Sequence, residues 1–217
     1  MYRVQTCPLC EGFSAYFGTY HNRDYYTCPK CNGRFLSRDH LLSSEDEFRE
    51  YSIHKNDVND PRYQEFVMPL VDLIISEQQP HTLGLDFGAG PGPVVAKLLQ
   101  DKGYSINLYD PFFHPDRTPL SQKYDYIFCS EVIEHFNHPF EAFSQLASLL
   151  NESGTLYCKT SLLTDETNFA SWHYKNDATH VFFYHAKTVA WIEENIISTG
   201  YKDKRIKVIS HTPKRKK

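Results

Sequence analysis

A run of alternating glycines, Leu83-Gly84-Leu85-Asp86-Phe87-Gly88-Ala89-Gly90-Pro91-Gly92-Pro93, constrains this chain more than any other feature. Before it, Thr82–Phe87 reads as a buried strand; after it, Pro93–Lys102 reads as a helix. Glycines at such a junction let the backbone turn sharply and approach a ligand closely. The same alternation continues downstream. Strands are expected over Ser105–Asp110, Tyr124–Ser130, Thr155–Thr160 and Ile206–Ser210, with helices over Pro139–Leu150 and Ala186–Ser198. Upstream, Asp60-Pro61 starts a helix over 61–78, on which Tyr63, Phe66, Val67, Leu70, Val71 and Ile74 recur at helical spacing. Strands and helices in this order predict an α/β fold, a doubly wound, Rossmann-like, mostly parallel sheet. Only 13 residues separate Asp110 from Tyr124, too few for helix, strand and helix, so one edge strand is expected to be missing or vestigial.

The N-terminal third obeys different rules. Cys7-Pro-Leu-Cys10 and Cys28-Pro-Lys-Cys31 are 17 residues apart, the spacing of a four-cysteine zinc site. Four thiolates complete a tetrahedron and leave no open position, so the expected Zn²⁺ is structural. Gly12 and Gly33 follow the second cysteine of each pair and are expected to take positive φ, aiming N–H groups at the sulfurs. Ser44 and Glu47 have capping-box spacing for a following helix. The expected organisation is a zinc-ribbon module over 1–42, a helical connector over 43–80 and an α/β domain over 81–217.

Charge narrows the partners. The net charge of −4 argues against a general nucleic-acid binder, although Lys202–Lys217 holds eight basic residues and one acidic one. The first residues lack a secretory pattern, and no apolar run is long enough to span a membrane. With the cysteines paired for a metal, a reducing cytoplasm is the expected compartment.

The glycine loop differs from the dinucleotide pattern G-x-G-x-x-G: here the glycines alternate as G-x-G-x-G behind Asp86. In this form it resembles motif I of class I S-adenosylmethionine-dependent methyltransferases. Tyr124–Phe136, containing Glu131-Val-Ile-Glu134-His135, is similar to the fourth-strand motif of that superfamily, and Gly154-Thr-Leu-Tyr-Cys-Lys to its fifth strand. A narrower likeness to bacterial methyltransferase-like proteins lies in Tyr51–Asn56, Asp110–Phe113, Trp172–Tyr174 and Thr179-His180. The resemblance implies S-adenosylmethionine as cofactor, held by Asp86, Gly88, Ala89, Gly90, Gly92, Asp110, Pro111, Phe112, Ser130 and Glu131. Asp110 closes the second strand, where a carboxylate can accept from ribose hydroxyls. Phe113 joins Pro111 and Phe112 as a candidate for the adenine slot.

In that superfamily the acceptor stands beside the ends of the fourth and fifth strands. Two segments are expected to converge there, Ser130–His138 and the 164–185 insertion. His180 is the first candidate base and His135 the second, because an ordinary imidazole is mostly neutral at pH 7. Trp172, His173 and Tyr174 are candidate acceptor contacts. Three readings follow: methyl transfer to a small or carrier-linked acceptor; RNA base methylation, aided by the zinc module and basic tail; or a non-catalytic protein that retains the fold.

Overall fold

The computed structural model describes residues 3–53, 57–200 and 203–210. Of the segments singled out above, His54–Asn56 and half of the basic tail, Lys202 and His211–Lys217, lie outside them.

The cysteine module is a ribbon of four short strands, β1 (Val4–Thr6), β2 (Phe13–Tyr20), β3 (Arg23–Thr27) and β4 (Arg34–Leu36), each antiparallel to the next. Helix α1 (Ser44–Ile53) follows. Its cap is Ser43, not Ser44: the Asp46 N–H donates to Ser43 Oγ at 3.2 Å and Ser43 Oγ donates to Asp46 at 2.8 Å. The expected box is therefore shifted by one residue, with Asp46 in the role expected of Glu47. Helix α2 (Pro61–Glu77) starts as predicted on Asp60, whose carboxylate accepts from the Arg62 N–H.

The alternating part comprises β5 (Leu83–Phe87), α3 (Val94–Gln100), β6 (Ser105–Tyr109), β7 (Tyr124–Ser130), α4 (Pro139–Leu149), β8 (Leu150–Thr160), β9 (Phe182–Phe183), α5 (Ala186–Ile192) and β10 (Arg205–Ser210). Five of these strands form one all-parallel sheet in the order β10-β8-β7-β5-β6. Residues 111–123 hold one 3₁₀ turn at Thr118–Ser121 and a lone bridge from Asp110 to His114, so the missing edge strand is as expected. The helix predicted over 186–198 is α-helical only to Ile192 and continues as a π segment to Ile197.

Alternation along β7 explains the layers. Tyr126 and Phe128 face α2 and α3, packing with Val67, Leu70, Val95 and Leu99. Ile127 and Cys129 face α4 and α5, packing with Phe143, Leu146 and Ile192. Both faces are covered, which is why the strand is apolar at nearly every position.

The cysteine module does not stand apart from this body. β9, from the 164–185 insertion, adds antiparallel to β4 through Phe35↔Phe182 and Arg34↔Phe183, and the Leu36 N–H donates to Val181 O at 2.8 Å. The four cysteines, Leu9 and Phe35 share one buried cluster with Phe182, Tyr184 and Ile133.

Candidate functional site

The parallel sheet reverses direction of winding between β5 and β7, and open α/β sheets bind ligands at the carboxyl ends of strands at such a point. A cavity of about 1310 Å³ opens there. Among the residues lining it are Asp86, Gly88, Ala89, Gly90, Gly92 and Asp110, followed by Pro111, Phe112, Phe113, Ser130 and Glu131. His135, His173, Tyr174 and His180 line it too. Trp172 does not: it packs among Phe169, Tyr174 and Phe183 instead.

The loop itself is built as its glycines require. Gly88 has φ +82° and Gly90 φ +62°, a region that side chains rarely adopt. A Cβ at Gly88 would fall 2.6 Å from Val132, whereas at Gly90 it would meet nothing. Asp110 acts on the loop from the next strand. Its Oδ2 accepts from the Gly90 N–H at 3.0 Å, and its Oδ1 accepts from the N–H groups of Phe112 and Phe113 at 2.8 and 2.9 Å. One carboxylate thus ties the glycine loop to the Pro111–Phe113 turn. Asp86, 4% exposed, has its carboxyl held well above the usual range by burial and then by the neighbouring Asp110. Ser130 Oγ is buried and finds no hydrogen-bond partner in the protein. A polar atom orphaned on a cavity wall fits a polar ligand that would satisfy it.

Across the cavity lies a polar network that spacing alone did not announce. Lys159, 1% exposed, donates to Glu131 Oε1 at 3.1 Å. Tyr174 Oη donates to Glu134 Oε1 and, at 3.3 Å, to Glu131 Oε2. Thr160 Oγ1 donates to Glu134 Oε2 at 2.9 Å. Burial, reinforced by Glu134, pushes the Glu131 carboxyl up to about 8; burial pushes Glu134 up to about 7. His135 is held below its ordinary value by burial. Its Nδ1 lies 3.1 Å from Thr179 O, and His180 Nδ1 lies 2.7 Å from Tyr174 O. A carbonyl oxygen only accepts, so both rings carry the proton on Nδ1 and the basic lone pair on Nε2. The two rings stand 4.7 Å apart. Asp177 also lines the cavity, 3.9 Å from His180 Nε2. Lys159, Thr160 and the placement of Asp177 carried no sequence signal, because each matters only through partners distant in the chain.

The four module cysteines are buried and gathered as expected, with Sγ atoms 3.4 Å apart for Cys10 and Cys28 and 3.7 Å for Cys7 and Cys31. Tetrahedral Zn–S bonds of about 2.3 Å put sulfurs roughly 3.8 Å apart, so the donor set and its spacing fit zinc. The expected positive φ at Gly12 and Gly33 is not found. It falls one residue earlier, at Glu11 (57°) and Asn32 (59°). The glycines are needed for space instead: a Cβ at Gly12 would sit 3.1 Å from Cys28 Sγ, and one at Gly33 only 2.4 Å from Phe182.

A family model described as a methyltransferase domain matches residues 60–196, which span the loop, the sheet from β5 to β8 and the insertion. This chain belongs to that family. The methyltransferase domain so defined starts after the cysteine module. Solved structures are similar at lower identity. One is a S-adenosylmethionine-dependent methyltransferase from Thermotoga maritima, described as a possible histamine N-methyltransferase: 12% identical, TM-score 0.39, covering 70% of this chain and 75% of that one. Another is coclaurine N-methyltransferase bound to N-methylheliamine and S-adenosylhomocysteine: 15% identical, TM-score 0.41, covering 73% and 59%. A third is magnesium protoporphyrin IX methyltransferase from Synechocystis PCC 6803 with bound S-adenosylhomocysteine: 19% identical, TM-score 0.30, covering 52% and 66%. A search of curated proteins found no match.

Proposed function

We propose that this chain is a S-adenosylmethionine-dependent methyltransferase acting on a small or carrier-linked acceptor, with a structural zinc ion in its Cys7, Cys10, Cys28 and Cys31 module. Family membership supports the reaction class. The observation that carries the acceptor class is the charge of the cavity. Among the described residues that line it are Glu47, Asp86, Asp110, Glu131 and Asp177, and no Lys or Arg. A site for RNA needs cations against phosphates, so an acid-lined cavity favours a small acceptor without that backbone.

When bound, S-adenosylmethionine supplies an electrophilic methyl group on a positively charged sulfur. The alternating glycines give the ligand close access to backbone, while Asp110 holds Gly90 and the Pro111–Phe113 turn in place. Ser130 Oγ and the acids offer partners to a cationic ligand. On the acceptor side, Nε2 of His180, with His135 beside it, takes the proton as the acceptor's X–H bond breaks and leaves its electron pair on the heteroatom. His173 and Tyr174 wall the acceptor end, and Trp172 supports them from behind.

Calorimetry with S-adenosylmethionine tests the reading. The wild type should bind, and Asp110→Ala should weaken binding at least tenfold, because three backbone N–H groups lose their common acceptor. No binding to the wild type would sink the proposal.

A further inference from the structure

We propose that Glu134, His135 and His180 form a divalent-cation site in the wall of the cofactor cavity, distinct from the cysteine module. One ligand atom from each residue lies within 4.8 Å of the others. Around an ion with bonds of 2.0–2.2 Å, ligands stand roughly 3 to 4 Å apart. Binding an ion therefore calls for a contraction of the cluster by roughly an ångström.

Two observations point to a cation. The first is the state of Glu134, which is 0% exposed. Its carboxylate accepts from the hydroxyls of Tyr174 and Thr160, and Lys159, which attracts it at longer range, forms its ion pair with Glu131. Two buried carboxylates that share a single ammonium are under-compensated, and an ion supplies the missing charge. The second is the orientation of the rings. Both histidines commit Nδ1 to backbone carbonyls, Thr179 O and Tyr174 O, which makes Nε2 the ligating atom in each. A ligating histidine typically shows this arrangement, with the far nitrogen fixed by a carbonyl. The ring planes cross at 70°, so the two rings do not stack face to face.

The donor set of one carboxylate and two imidazoles, with no thiolate, suits an ion of the manganese, iron or zinc kind. His135 and His180 line the cavity that also holds Ser130 and the glycine loop. A cation there would stand where the acceptor approaches. It would polarise a hydroxyl and ease loss of its proton, and so replace the base role given above to His180, whose Nε2 lone pair the ion would occupy. The purpose of the ion rests on the methyltransferase reading, but its existence does not.

The test is a titration with Mn²⁺ of the full chain carrying one equivalent of zinc, which the four thiolates take up first, followed by electron paramagnetic resonance and without cofactor. Thiolates bind this ion poorly, so the cysteine module stays silent. The expected result is uptake of one Mn²⁺ per chain, weakened at least tenfold in Glu134→Gln and in His180→Asn. His135→Asn, at a part-exposed position, supplies the same readout where a buried variant does not fold, and circular dichroism identifies such a variant. Lack of uptake by the wild type overturns the site, as does equal uptake by the folded variants. Calorimetry with S-adenosylhomocysteine on the same samples separates the two ideas. Cofactor binding without Mn²⁺ uptake removes the cation site alone, while Mn²⁺ uptake without cofactor binding removes the methyltransferase reading alone.

Discussion

Ser130 offers a clean separation of stability from binding. Its Oγ is buried at the end of β7 with no partner. Removing an unsatisfied hydroxyl should cost the free protein little, whereas losing a hydrogen bond to a ligand costs about 1 kcal/mol. Ser130→Ala is therefore expected to melt within a degree or two of wild type yet bind S-adenosylhomocysteine roughly fivefold more weakly. Unchanged affinity in calorimetry would place the ligand away from this wall. Asp110 makes the complementary point at the same scale. The residue was identifiable from its place closing the second strand, but a role in hydrogen bonding to backbone N–H groups at three positions was not. Those donors come from a turn and a loop whose approach depends on the chain's path.

Among elements, the decisive contact is between β9 and β4. Besides the packing of Phe169 on Phe17, Tyr20 and Tyr25, the insertion that supplies His173, Tyr174, Asp177 and His180 is hydrogen-bonded to the ribbon at two places. One is the short β9 pairing. The other is the Arg23 guanidinium, which donates to the carbonyls of Lys175, Asp177 at 3.2 Å and Ala178 at 3.3 Å. Hydrogen bonds from a charged donor contribute about 1.5–3 kcal/mol each where well made. Arg23→Ala should thus speed amide hydrogen exchange over residues 175–180 by about tenfold or more, a change of at least ~1.4 kcal/mol in local opening, while β5 and β7 keep their protection. Stripping zinc from the module should loosen the wider 164–185 segment, because the cysteines share a buried cluster with Phe182 and Tyr184. Exchange in that segment that ignores the metal would show the ribbon to be a passenger.

For the whole molecule, charge and topology decide which partners are accessible. The chain is acidic overall, with a sequence pI near 6.2, and among the described residues the cavity lining holds no Lys or Arg. The full chain is accordingly expected to pass an immobilised RNA column at physiological salt, and strong, salt-sensitive retention would favour the RNA reading. No helix among the described residues is long and apolar enough to cross a membrane. The missing edge strand leaves that end of the cavity to the Pro111–Phe113 turn, which α1 approaches through Phe48 and Tyr51.

By itself the sequence determined the order of strands and helices from α2 onward except β9, the glycine loop, the absent edge strand and the cysteine tetrad. Each is encoded over a few neighbouring residues, as an alternation of apolar positions, a glycine spacing or a CxxC pair. Packing decided the rest. The positive φ expected at Gly12 and Gly33 moved to Glu11 and Asn32, while the glycines answer to crowding by Cys28 and Phe182. The capping role moved from Ser44 to Ser43. Trp172 turned away from the cavity. The network of Glu134, Tyr174 and Thr160 joins residues up to 40 positions apart. Such contacts are set by how the insertion folds back over β7 and β8 and onto the ribbon, and no local pattern records that distance.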